Sequence, residues 1–132
     1  MKILISGSHG LVGGALARSL TEDGNEVARL VRHESTPGAL EIEWHPNQRR
    51  IDAQRLEGFD AVVHLAGESI ASGRWNDEKK RRIRESRTKG TTLLSETLAQ
   101  LSQPPSVFIS ASAIGYYGDR GDELLTETST PG

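Results

Sequence analysis

An α/β fold with a doubly wound parallel sheet is what this sequence predicts, on three observations. A short apolar run, Ile3 to Ile5, leads directly into glycines spaced by three, Gly7, Gly10 and Gly13. An amphipathic stretch follows (Leu11, Val12, Ala15, Leu16, Ser19, Leu20), and a second strand-like run lies at the distance a βαβ unit requires. Strand-like and helix-like segments then keep alternating, as they do where helices cover both faces of a parallel sheet.

Each element has its own signal. Lys2–Ser6 reads as the first strand and Leu11–Asp23 as the first helix, with Gly24 placed as a C-terminal cap. Glu26–Val31 is the second strand. A loop with Pro37 spans Ser35–Gly38, and Leu40–Trp44 reads as a short third strand. Pro46 and Asn47 make His45–Gln48 a turn, and Asp52–Glu57 is a single helical turn closed by Gly58. The run A-V-V-H-L over Ala61–Leu65 has the character of a buried strand. A long helix is expected from Asp77 to Leu101, with Asn76 as N-cap and Asp77 and Glu78 suited to its positive end. Its inward stripe reads Ile83, Arg87, Gly90, Leu94, Leu98 and Leu101, and Pro104 and Pro105 stop it. Val107–Ser110 is the last strand. From Gly115 to Gly132 neither a helix nor a strand period is visible. The expectation is therefore a Rossmann-type sheet of about five strands, the N-terminal portion of a larger fold with its substrate-binding part absent.

The strand–glycine turn–helix order is a dinucleotide-binding hook. Glycine is needed where the turn is tight and a pyrophosphate must touch bare backbone. The helix start then offers unpaired N–H groups and a positive dipole end. After the second strand stands Arg32. An acid there would bind the ribose 2′-OH of NAD, whereas a guanidinium pairs with the 2′-phosphate of NADP. The sequence thus favours NADP over NAD.

Composition excludes other classes. Apolar residues make up 35% of the 132, and no run approaches the roughly 20 needed to cross a bilayer. There is no cysteine, hence no disulfide framework and no thiol ligand or nucleophile. Only Met1 and Lys2 precede the apolar run of the first strand, so no signal peptide and a cytoplasmic location are expected. The net charge is −2, although Arg74 to Lys89 sets eight basic residues against Asp77, Glu78 and Glu85. That segment reads as a solvated helix face rather than a nucleic-acid surface. The spacing of His9, His33, His45 and His64 suggests no metal site, and His64 reads as a core residue.

The motifs G-S-H-G-L-V-G, V-A-R-L-V-R, H-L-A-G-E-S-I, R-W-N and S-A-S-A-I-G-Y-Y-G-D stand in one order. In that order the chain resembles the extended, atypical short-chain dehydrogenase/reductases, in their NAD(P)-dependent, nucleotide-sugar epimerase-like branch. The resemblance covers essentially the whole chain. It implies that Gly7, Ser8, His9, Gly10, Leu11, Val12 and Gly13 wrap the pyrophosphate and that Arg32 meets the 2′-phosphate. It further implies that Leu65, Ala66 and Gly67, followed by Glu68, run along the ribose and nicotinamide side, and that Arg87 faces the cofactor. Ser112 matches the family's active-site serine, and Tyr116 or Tyr117 is placed to line the substrate pocket. Tyr116 and Tyr117 do not form the family's usual Tyr-x-x-x-Lys pair, since Arg120 and Gly121 stand four residues after them, and the helix expected to carry it would lie beyond Gly132.

Two readings follow. One is an NADP-dependent oxidoreductase or epimerase-like enzyme acting on a small carbonyl, hydroxyl or nucleotide-sugar substrate, with its proton-transfer residue elsewhere and this chain alone inactive. The other is a non-catalytic NADP-binding sensor or regulator. Either takes a small molecule as partner, with neither nucleic acid nor membrane, and leaves a homodimer open.

Overall fold

A computed structural model describes residues 1–132, the side chain of Ile114 excepted. In chain order the elements are β1 (Lys2–Ser6), α1 (Leu11–Glu22), β2 (Glu26–Val31), β3 (Glu41–His45), β4 (Arg50–Ile51), β5 (Ala61–His64), α2 (Asp77–Ala99) and β6 (Val107–Ser110). Short 3-10 turns occupy Pro46–Gln48, Ala53–Leu56 and Ile114–Tyr117. The six strands form one sheet in the order β4-β3-β2-β1-β5-β6. All neighbours run parallel except β3 and β4, which pair antiparallel through Trp44–Ile51 and His45–Arg50. From the central β1 the chain builds outward to one edge and then returns to build the other. This reversal between β2 and β5 leaves a crevice at the carboxyl ends of the strands, where ligands of open α/β sheets sit.

Side-chain alternation along the strands divides the core. Ile3, Ile5, Ala61 and Val63 point to α1 and pack on Ala17, with Leu16 and Leu20 beside them. Leu4, Ala28, Leu30, Ile42, Trp44 and Val62 point the other way, to Leu93, Leu94 and Leu98 of α2. Leu56 and Phe59 close this second, larger cluster. Hence both faces of the sheet carry a helix, as the alternating pattern requires.

α1 is rotated relative to its expected apolar stripe. Leu11, Val12, Ala15 and Ser19 are exposed, and Gly13 and Ala17 are the buried positions. The cause is a close approach at Gly13, where an added Cβ would lie 2.2 Å from the Gly7 carbonyl oxygen. A helix seated that near the preceding turn buries the face carrying its small residues. At the other end Gly24 adopts φ +81° and its N–H reaches the Thr21 carbonyl, the left-handed cap the sequence implied.

α2 starts as expected, with Asn76 Oδ1 accepting the Lys79 N–H at 2.8 Å. It stops earlier than Leu101. The two residues past Leu101, Ser102 and Gln103, donate their N–H groups to the Glu57 carboxylate at 2.9 and 2.7 Å. That bridge turns the chain before Pro104 is reached. The inward stripe also differs. Gly90, Leu94 and Leu98 are buried as expected, Leu93 joins them, and Arg87 is exposed at the rim. Gly90 lets the helix settle on the sheet, since a Cβ there would meet Trp44 at 3.3 Å and His64 at 3.7 Å.

The third strand begins one residue later than expected and ends at His45. Arg50–Ile51, too short to give a period, makes a sixth strand instead of loop. Among the described residues no helix is long and apolar enough to cross a membrane. At the far edge β6 leaves Val107, Phe108 and Ile109 exposed. Leu94 has no exposed surface, so Leu94→Ala should destabilise the domain by about 2–5 kcal/mol. The check is a lower urea midpoint at an unchanged denaturant slope.

Candidate functional site

Two turns meet at the carboxyl edge of the sheet. Gly7 follows β1 at φ +72°, and a Cβ there would lie 2.7–2.8 Å from the backbone of Leu65 and Ala66, which follow β5. No other residue lets these segments approach so closely. The Ser6 hydroxyl fastens them. It is fully buried and accepts the N–H groups of Leu65 at 3.1 Å and Ala66 at 3.2 Å. Its own proton goes to His64 Nδ1 at 2.6 Å, so His64 Nε2 carries the hydrogen and donates to Thr91 Oγ1 of α2 at 3.1 Å. The Trp44 ring stands edge-on to the imidazole at 5.9 Å. His64 is thus a satisfied core residue linking two strands and a helix.

A cleft of about 730 Å³ opens beside these turns. Gly7, His9 and Gly10 form one wall, with Leu30, Val31, Arg32 and His33 at the end of β2. Trp44, Pro46 and Asn47 close the β3 side, and Leu65, Ala66, Gly67 and Glu68 lie opposite. Arg82, Glu85 and Ser86 of α2 complete it. Leu11, Val12, Gly13 and Ser8 belong to the same turn and helix start but are not in the lining. Leu11 and Val12 are exposed beside it, whereas Gly13 and Ser8 are buried beneath it.

Three features suit this turn to a pyrophosphate. Gly10 caps α1 without a side-chain hydrogen bond, so the first-turn amides have no acceptor from their own cap. No acidic residue occupies that first turn to repel an anion. Ser8 is 3% exposed, and its Oγ finds no hydrogen-bond partner among the described residues. An orphaned buried hydroxyl costs about 1–3 kcal/mol until something accepts its proton. Gly7, Gly10 and Ser8 together fit a bound diphosphate.

The loop after β5 is held from α2. Glu68 N–H donates to Ser86 Oγ at 2.9 Å, and Arg87 Nη1 donates to the Glu68 carbonyl at 3.3 Å and the Ile83 carbonyl at 3.1 Å. The Arg87 guanidinium lies against Gly67, where a Cβ would meet it at 3.3 Å. Arg87 therefore clamps the loop backbone and is absent from the cleft lining. Lys79, expected on a solvated basic face, is instead 4% exposed. Its Nζ donates to Glu68 Oε1 at 2.8 Å and Ser72 Oγ at 2.9 Å. Its ammonium does most to hold the Glu68 carboxyl below the usual carboxylate range, burial opposes it, and Arg82 and Arg32 add to the lowering. Ion pairing across a loop was invisible in the sequence because Glu68 and Lys79 lie eleven residues apart.

Ser112 and Tyr116, on the segment after β6, are both exposed and stand outside the cleft lining. Tyr116 packs edge-on to Tyr117 with ring centres 5.2 Å apart. Of the four histidines, His9 and His33 come together at the cleft mouth, with ring centres 6.0 Å apart.

Burial holds His64 below the ordinary imidazole value of 6.5. The unfolded chain therefore takes up the proton more readily than the folded one. Stability is complete above about pH 6.5 and falls as the pH drops through the lowered native value. The urea midpoint of the wild type should accordingly drop more between about pH 7.5 and 5.5 than that of His64→Gln. Parallel pH profiles for the two would remove His64 from the acid response.

Residues 3–131 match the NAD dependent epimerase/dehydratase family. An epimerase family protein of Mycobacterium leprae is 37% identical over 131 residues, which are 98% of this chain and 41% of that protein. The solved nucleoside-diphosphate sugar epimerase of Corynebacterium glutamicum is similar at a TM-score of 0.80 with 44% identity, over 100% of this chain and 27% of the other. Human epimerase family protein SDR39U1, solved with NADPH, superposes at a TM-score of 0.84 with 30% identity, over 99% of this chain and 43% of that one. The chain thus spans about two fifths of the curated relative and less than half of each solved one.

Proposed function

The chain belongs to the NAD dependent epimerase/dehydratase family, and on that footing we propose that its cleft holds a nicotinamide dinucleotide, NADP in preference to NAD. The observation that carries the preference is Arg32. It is an exposed guanidinium on the cleft wall at the carboxyl end of β2, where the 2′-position of the adenosine ribose lies in this fold. The human relative solved with NADPH supports the same choice.

In this reading the Gly7–Gly13 turn and the amides of α1 neutralise the diphosphate, and Ser8 donates its unmet proton to a phosphate oxygen. Leu65, Ala66 and Gly67 give the ribose a backbone wall, kept in place by Ser6 and Arg87. Glu68 stays ionised beside Lys79. When bound, the coenzyme supplies a hydride donor or acceptor. Ser112 holds the substrate carbonyl or hydroxyl by hydrogen bond, and Tyr116 lines the space next to it. The full protein is then an oxidoreductase or epimerase-like enzyme for a small carbonyl, hydroxyl or nucleotide-sugar substrate. Its substrate-binding part covers the edge where Val107, Phe108 and Ile109 are exposed. A cytoplasmic location, with neither nucleic acid nor membrane as partner, belongs to the same proposal.

A non-catalytic NADP sensor is the second reading, and the sequence feature that separates it from the enzyme is a Tyr-x-x-x-Lys pair, or a substitute acid, downstream of Gly132. Loss of NADPH absorbance against a carbonyl panel, measured on the full-length protein, separates the two. Tight binding without turnover selects the sensor.

The coenzyme choice has a direct test. Fluorescence titration should give NADPH an affinity at least about tenfold above NADH, equivalent to roughly 1.4 kcal/mol. Arg32→Asp should invert that order. Equal affinities in the wild type would take Arg32 out of the site.

A further inference from the structure

We propose that His9, His33 and Glu41 form a binding site for one first-row transition-metal ion, Zn2+ in the first instance, at the mouth of the cleft. The three residues come from different segments: the glycine turn, the end of β2 and the first position of β3. Each offers a ligand atom, and these atoms lie within 4.8 Å of one another. Zinc bonds of about 2.0–2.2 Å set tetrahedral ligand atoms roughly 3.3–3.5 Å apart. Closing that difference requires rotation of the two imidazoles, both of which are exposed.

The surroundings of Glu41 point to a cation. The residue is 7% exposed, and a buried carboxylate needs a partner charge or a metal. Its Oε2 accepts the Thr36 N–H at 2.9 Å. Among the described residues no lysine or arginine forms an ion pair with this carboxylate. The nearby Arg55 guanidinium donates to the Glu41 backbone carbonyl at 2.6 Å instead. The metal-ligating groups left facing the acid are the two imidazoles.

His33 is prepared for ligation. Its Nδ1 lies 2.8 Å from the Glu34 carbonyl oxygen, which can only accept, so Nδ1 carries the hydrogen and Nε2 keeps the lone pair. A ring N–H bound to a backbone carbonyl is the usual outer-shell support of a metal-bound histidine. Two imidazoles and one carboxylate suit zinc, cobalt or nickel and disfavour magnesium and calcium, which take oxygen ligands. With three protein ligands the fourth position stays open to water or an anion. The histidines lie 24 residues apart in sequence, so only the adjacency of the β1–α1 turn and the end of β2 assembles them.

The test is calorimetric titration of the coenzyme-free protein with ZnCl2 in a non-coordinating buffer. One ion per chain should bind saturably, MgCl2 should give no heat, and CoCl2 should produce the visible absorption of a four-coordinate site. His9→Ala and His33→Ala, both exposed positions that leave the core intact, should each weaken Zn2+ at least about tenfold. His45→Ala, remote from the cluster, should leave the affinity unchanged. Absence of saturable binding, or an affinity that ignores His9→Ala and His33→Ala, overturns the site. Since no coenzyme is present, neither result bears on the NADP reading.

Discussion

The contact between the turn after β1 and the segment after β5 governs this molecule. Both leave the sheet at its carboxyl edge, on adjacent parallel strands, and they pass so near that Gly7 has no room for a Cβ. A glycine at φ +72° is the backbone solution, and the Ser6 hydroxyl is the polar one. One buried oxygen accepts from two amides, of which Leu65 also reaches the Ser6 carbonyl, and its proton ties them to His64. Such a network is stable only when each member is matched. Here the Ser6 and His64 groups are matched, and that fixes the cleft wall.

α2 serves two purposes along its length. Its second half is core: Gly90, Leu93, Leu94 and Leu98 press on the sheet, with Trp44 against the glycine. Its first half shapes the site. Lys79, Ser86 and Arg87 hold the 66–72 segment by side-chain bonds to Glu68 and Ser72. A segment with neither helix nor strand is positioned by these bonds. The buried ammonium at Lys79 costs desolvation that its partners Glu68 and Ser72 offset. Removing Glu68 would leave the ammonium unpaired inside.

Much of the fold was legible because its signals are local. Gly24, Asn76 and the apolar runs of β1, β2 and β5 act within a few residues of where they stand, and the elements they mark are in place. β4 was not legible, since two residues carry no period and depend on a partner strand. The rotation of α1 was not either, because it follows from the Gly13–Gly7 contact rather than from the apolar pattern. The early end of α2 depends on Glu57, 45 residues before Ser102. For the site, the glycine turn, Arg32 and the Leu65–Glu68 stretch could be picked out by position after a strand. Ser86, Arg82 and the burial of Lys79 could not, because an arginine- and lysine-rich helix looks solvated until the loop that covers it is known.

By itself the amino-acid order determined the sheet class, the glycine turn and the guanidinium at the end of β2, since each rests on neighbours along the chain. Only the tertiary structure decided which charges are sheltered and which imidazoles meet. His9, His33 and Glu41 converge because β1, β2 and β3 lie side by side in parallel, and Lys79 is covered because α2 packs under the Glu68 loop. Proximity across strands and helices is a property of packing, and no spacing in the sequence encodes it.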